Sequence, residues 1–242
     1  MKKILALMLA IMMVVACFAS CGESANTPDN NGGDASATAF KIGGTGPLTG
    51  DASSYGISVK NGAELAVKEI NEAGGLNGTK LAFDMKDDKA TAEDASTGYD
   101  ALMDAGMKVS IGSVTSGSCA AFADKAESDN LFFITPSASA SNVIEKGTNS
   151  FRVCFGDPDQ GVLAAQQLVK DYKNIGCIYD TSDPYSSGIF DAFKAEMAKL
   201  GAKYILQTFD AENKKDFSTQ AEALKDCDVV FTPFYYTEAG LV

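Results

Sequence analysis

Three loops rich in hydroxyls and nearly devoid of charge are the part of this chain best equipped for chemistry. One runs Gly44-Thr45-Gly46-Pro47-Leu48-Thr49-Gly50 and continues through Ser53-Ser54-Tyr55-Gly56. Another is Gly112-Ser113-Val114-Thr115-Ser116-Gly117-Ser118, and the last is Thr135-Pro136-Ser137-Ala138-Ser139-Ala140-Ser141. Each follows a short apolar run, at the kind of strand end where loops lead into helix N-termini. Each therefore offers free backbone N–H groups and a serine or threonine hydroxyl at a helix start. Such a set suits a carboxylate, which helix N-termini and hydroxyl donors hold without a cation. Taken singly these residues cap helices. Their repetition at neighbouring strand ends is what points to a binding site.

Catalysis fits poorly. The chain has no histidine, so it cannot build a Ser-His or Cys-His pair or a His-ligated metal site, and it lacks the commonest general base. A hydrolase would need Ser116 or Ser139 as nucleophile, yet neither loop carries a lysine to activate one. No catalytic residue, metal or cofactor is expected, and the chain reads as a non-enzyme. Gly44-Thr45-Gly46 opens like a dinucleotide fingerprint, but Pro47 and the spacing to Gly50 break G-x-G-x-x-G. Asp84, Asp87 and Asp88 read as a solvated strand end rather than a cation site. Cys119, Cys154, Cys177 and Cys227 are widely spaced with no C-x-x-C pair, which argues against zinc or dithiol chemistry. Cys154 and Cys177 lie in apolar runs and are expected to be buried small hydrophobes.

Alternating strands and helices must position these loops. Strands are expected at Phe40–Gly43, Leu81–Met85, Val109–Ile111, Leu131–Ile134, Phe151–Cys154, Ile175–Tyr179, Tyr204–Gln207 and Val229–Thr232. Helical stripes lie between most of them: Val59, Ala63, Ala66 and Ile70; Ala92, Ala95, Tyr99 and Leu102; Val162, Ala165, Val169 and Tyr172; Ile189, Phe193, Met197 and Leu200; and the shorter Phe217, Ala221 and Leu224. Gly74-Gly75 should stop the first helix, and Asn77-Gly78 should turn the chain into the second strand. Strands separated by helices pair in parallel and are covered on both faces, so the fold class is α/β. Ligands of such sheets settle at the carboxyl ends of the strands.

Composition bounds the partners. With 20 basic and 32 acidic residues the net charge is −12, and loss of Lys2 and Lys3 with a leader makes it −14. That balance disfavours nucleic acid and anionic lipid. Arg152 is the sole arginine. At the N-terminus, Lys2 and Lys3 precede the apolar run Ile4 to Ala16, and Phe18-Ala19-Ser20-Cys21-Gly22 follows. This reads as a secretory leader over residues 1–21, too short for a membrane span. Its ending looks like a lipobox, with Cys21 lipidated; Cys17 is the alternative. Residues 22–38 contain no large apolar side chain and read as a flexible tether. An extracytoplasmic, lipid-anchored location follows.

The motifs GPLTG…YG, EINEAGGLNG, IGSVTSGS, FFITPSASAS, FRVCFGDPDQG and YYTEAG together resemble the periplasmic-binding-protein type 1 family. Within it they are most like the branched-chain amino acid substrate-binding proteins of ABC importers. The resemblance runs from Phe40 to Val242. It implies a clamshell of two Rossmann-like lobes with parallel sheets flanked by helices, residues 39–156 forming the first lobe and 157–242 a partial second. Gly156 to Gln160 would be the crossing between them. Ser116, Ala138 and Ser139 would hold a ligand's α-carboxylate and ammonium, and Tyr55 would lie near its side chain. Tyr185 and Tyr235 would close from the second lobe, with Tyr236 as the alternative to Tyr235. The implied function is that of a monomeric solute receptor that takes up an amino acid and delivers it to a membrane permease. A sensor module for amides or other small polar solutes is the other use of this scaffold. The chain departs from the family pattern in having Thr115 before the binding serine, where a cysteine often stands. Family members also run on well past the position of Val242, so the resemblance implies a C-terminal truncation, with the second lobe incomplete.

Overall fold

A computed structural model describes residues 39–145 and 147–242. The leader, the tether and the lipidation candidates Cys17 and Cys21 lie outside the described residues. All eight expected strands form. They build two parallel sheets rather than one, because two families of strands each gather around a different centre. The first sheet takes β1 (Phe40–Gly46), β2 (Leu81–Asp87), β3 (Val109–Ser110), β4 (Phe133–Thr135) and β5 (Ser150–Arg152) in the order β2-β1-β3-β4-β5. The second takes β6 (Ile175–Asp180), β7 (Ile205–Phe209) and β8 (Val229–Phe231) in the order β7-β6-β8. Every named pairing is parallel.

Helices α1 (Ser53–Glu72), α2 (Ala92–Asp104) and α3 (Ser116–Ser128) accompany the first sheet; α4 (Asp157–Asp171), α5 (Pro184–Lys199), α6 (Ser218–Leu224) and the short α7 (Tyr236–Ala239) accompany the second. The first core is aromatic at its centre. Tyr99 of α2 meets Phe122 of α3 edge-on at 4.9 Å, and Phe122 meets Phe133 of β4 at 5.6 Å. In the second lobe Phe193 and Met197 of α5 are fully buried, beside Cys177 and Phe231. The stripes of α2 and α5 thus bury Ala95, Tyr99 and Leu102, and Ile189, Phe193 and Met197. Tyr172 and Leu200 fall just past their helices and are exposed.

Helix α1 corrects the pattern reading. Its expected stripe is only half-covered, and Ala66 and Ile70 are exposed. The reason is position: α1 packs against β1 and β2, while the sheet beyond it stays open along an apolar groove lined by Val59, Ala63, Ile111, Ile134 and Val153. Val153 is 72 % exposed and Phe155 62 %.

The glycines of the first loop are corrected too. β1 runs on to Gly46, three residues past its expected end, paired with β2 throughout. Close packing requires the missing side chains there. A Cβ on Gly44 would sit 2.7 Å from Ile111 Cγ1, and one on Gly46 would sit 2.7 Å from Val114 Cγ2. Only part of the acidic cluster is solvated as expected: Asp84 is exposed, whereas Asp87 and Asp88 are tied into loops. Asp88 is fully buried and accepts from Ser113 Oγ at 2.6 Å and from Ala90 N–H at 2.9 Å. Asp87 accepts from Leu48 N–H at 2.8 Å and Thr49 Oγ1 at 2.6 Å. Together these carboxylates tie the β1–α1 and β3–α3 loops to β2.

The start of α1 is set by one contact: Gly56 lies so close to Pro47 that a Cβ would be 2.0 Å from its carbonyl oxygen. Gly56→Ala should therefore lower stability by about 1–3 kcal/mol through overpacking. Gly62, on the same helix with nothing within 4 Å of its Cβ position, should gain about 0.5–1 kcal/mol as alanine. Denaturant melts of the two variants give opposite signs if this packing is right.

Candidate ligand-binding cleft

In a doubly wound sheet, the crevice opens where successive connections leave on opposite sides of the sheet. That point falls between β1 and β3 in the first sheet and between β6 and β8 in the second. The segments following those strands line one cavity of about 170 Å³. Tyr55 comes from after β1, Val114, Thr115 and Ser116 from after β3, and Ser137 and Ser139 from after β4. Cys154 and Phe155 come from after β5, with Gln160 on α4, Tyr185 from after β6 and Tyr235 from after β8. No lysine, arginine or carboxylate is among these lining residues.

The hydroxyl side is built by mutual bonding of two loops. Thr115 is the N-cap residue of α3, but its side chain makes no capping bond; it donates instead to Ser118 Oγ at 3.1 Å. The first N–H groups of α3 are thus left to other partners. Ser116 Oγ accepts from the N–H groups of Ser139 and Ala140, both at 3.2 Å. Arg152 Nη1 donates to the carbonyls of the same two residues at 2.8 and 3.0 Å. Asp157 N–H also donates to the Ser139 carbonyl, at 3.0 Å. The 139–140 stretch is therefore clamped by its donors and its acceptors alike.

The opposite side is aromatic. Tyr185 and Tyr235 stack with ring centroids 5.1 Å apart, and Tyr55 meets Tyr235 edge-on at 5.7 Å and Tyr236 at 5.2 Å. Burial raises the Tyr185 hydroxyl to about 12 and pushes the Tyr235 hydroxyl well above its ordinary value; nearby Asp183 adds to both shifts. All three lining tyrosines are thus neutral hydroxyls at physiological pH. Asp183 caps α5 by accepting from Tyr185 N–H at 3.1 Å. Burial raises its carboxyl to about 6, and burial does the same for Asp157 at the head of α4.

Of the residues singled out from the sequence, Tyr55, Ser116, Ser139, Tyr185 and Tyr235 meet at this cavity. Ala138 does not line it. It is buried, and its N–H donates to Thr135 Oγ1 at 3.2 Å. Tyr55 and Tyr185 sit in the first turns of α1 and α5 rather than in loops. Tyr236 opens α7, and its hydroxyl accepts from Ser54 N–H at 3.4 Å. Sequence reasoning missed Cys154, Phe155 and Gln160. Cys154 was assigned to a strand and to the core, but β5 stops at Arg152 and the residue is half-buried at the cavity, a free thiol like Cys119, Cys177 and Cys227. The FRVCFGDPDQG motif could have flagged all three, since the lobe crossing it marks has to pass the cleft.

Two parallel sheets joined by a crossing, with a cleft at facing strand ends, make a two-lobed α/β fold. Residues 39–238 match the periplasmic binding protein family, and the chain belongs to it. It is 33 % identical to a Leu/Ile/Val-binding protein, BraC3, of Rhizobium johnstonii, across 83 % of this chain and 56 % of that one. Among solved structures it resembles a leucine-binding protein, LivK, of Thermotoga maritima (TM-score 0.77, 26 % identity, 84 % of this chain and 58 % of that one). It also resembles LivJ of Streptococcus pneumoniae in complex with isoleucine (TM-score 0.76, 28 % identity, 84 % and 59 %). The chain spans a little over half the length of these relatives.

Asp157 and Asp183 make the cleft's surroundings pH-dependent. Their folded pKa values lie above the unfolded ones, so they favour folding at low pH, and this contribution is lost as pH rises through about 6. Asp157→Asn and Asp183→Asn should each match wild type near pH 4 and become more stable than wild type above pH 7. Urea midpoints measured across that range check the sign.

Proposed function

We propose that this chain is the solute-receiving part of an ABC importer's extracytoplasmic binding protein, taking up small apolar amino acids of the branched-chain type and presenting them to a membrane permease. The carrying observation is the cleft itself: a serine-rich cradle at the head of α3 on one side, and neutral tyrosines with Cys154 and Phe155 around the rest. An α-carboxylate finds N–H and hydroxyl dipoles there without a cation, and an aliphatic side chain finds apolar walls. The names of the relatives point to the same ligand class. In this reading the protein works outside the cytoplasm as a monomer, anchored by a lipid on Cys21; no described helix is long and apolar enough to cross a membrane. Ligand bridging the two lobes would shift an open–closed equilibrium, and no covalent step is involved.

Calorimetry of the 242-residue chain with leucine, isoleucine, valine and glutamate tests this reading. The three aliphatic amino acids should bind and glutamate should not. Ser116→Ala should weaken binding by about 1–3 kcal/mol, since it removes a hydroxyl and orphans two backbone donors. Equal binding of all four, or of none, would end the proposal.

A further inference from the structure

A second interlobe space of about 700 Å³ shares Tyr235 with the cleft and has charged walls. One cation there spans the seam. Lys214 Nζ lies 3.1 Å from Glu238 Oε1 and 3.5 Å from Asp51 Oδ2. Asp51 belongs to the β1–α1 loop of the first lobe; Lys214 lies between β7 and α6, and Glu238 is on α7, both in the second lobe.

An exposed pair contributes little, and the Asp51 side chain is 64 % exposed. Glu238 differs, with a side chain only 8 % exposed, so water reaches it little and Lys214 is its ionic partner. Without that lysine, two carboxylates would face each other across the seam, and Asp183 is close enough to Glu238 to feel its charge. The interaction would change from attraction to repulsion. The same stretch of the first lobe is stitched at two more points. Thr237 Oγ1 donates to the Asp51 carbonyl at 2.8 Å, and Ser54 N–H donates to the Tyr236 hydroxyl. The next residue is Tyr55, whose ring packs on Tyr235 and Tyr236.

We propose that Lys214 is a positioning residue that latches the two lobes: by joining Asp51 to Glu238 it holds Tyr55 against Tyr235 at the cleft wall, and so sets how long a ligand stays enclosed. The ligand part rests on the amino acid reading above; the latch itself can be measured without ligand.

The test combines small-angle scattering of the unliganded 242-residue chain with stopped-flow release of leucine. Lys214→Ala should enlarge the radius of gyration and speed release by about fivefold or more. Asp51→Ala should have a smaller effect, and Lys214→Arg should restore wild-type behaviour. Adding Asp51→Ala to Lys214→Ala should not speed release further, because the repulsion has gone with it. High salt should open wild type and, by screening the carboxylate repulsion, slow release from Lys214→Ala. Additive effects of the two alanine variants, or failure of arginine to rescue, would overturn the latch, since both describe a lysine that only supports its own loop. If wild type binds no leucine, the proposed function fails, and the scattering comparison still decides the latch.

Discussion

Two adjacent parallel strands, β3 and β4, deliver their following loops to one point, and the hydroxyl of Ser116 joins them there. The geometry of the cleft follows from that junction. The N–H groups of Ser139 and Ala140 are bound by Ser116, while their carbonyls are bound by Arg152, and the first residue of α4 holds the Ser139 carbonyl as well. The loop that lines the cleft and the crossing that leads to the second lobe therefore share a single clamped pair of peptide units. A displacement at the cradle reaches the crossing through hydrogen bonds rather than through soft packing.

The cleft is unusual for so acidic a chain in having no ionised group among its lining residues. A carboxylate there would be met by oriented dipoles, which are fixed in place before the ligand arrives and need no counter-charge to be stripped of water. The charged groups stand one layer back, where burial holds Asp157 and Asp183 toward neutrality.

Much of this was legible in the sequence, for physical reasons. Parallel strands buried on both faces leave apolar runs, and α2 and α5 carry 3.6-period stripes because each packs on a sheet. The site could be read because hydroxyls recur after neighbouring strands. Features that depend on neighbours distant in sequence were not legible. Val59, Ala63, Ala66 and Ile70 keep the helical spacing, but nothing in that spacing tells how much sheet α1 covers. Gly44 and Gly46 open like a dinucleotide fingerprint that Pro47 breaks, but nothing in the sequence tells that their small size serves Ile111 and Val114. Asp88 looked solvated because Ser113, 25 residues away, is what satisfies it. Cys154 was drawn into the core by its apolar neighbours, and only the early end of β5 brings it to the cavity.

Half of the chain's eight tyrosines, Tyr55, Tyr185, Tyr235 and Tyr236, gather at the seam between the lobes, and the sequence contains no tryptophan. Near-ultraviolet absorption and emission are therefore dominated by phenol rings, and half of those rings sit where the lobes would part. Opening or closing would change their stacking and exposure together. The protein thus carries an intrinsic optical reporter of its own motion, with no stronger indole signal to mask it.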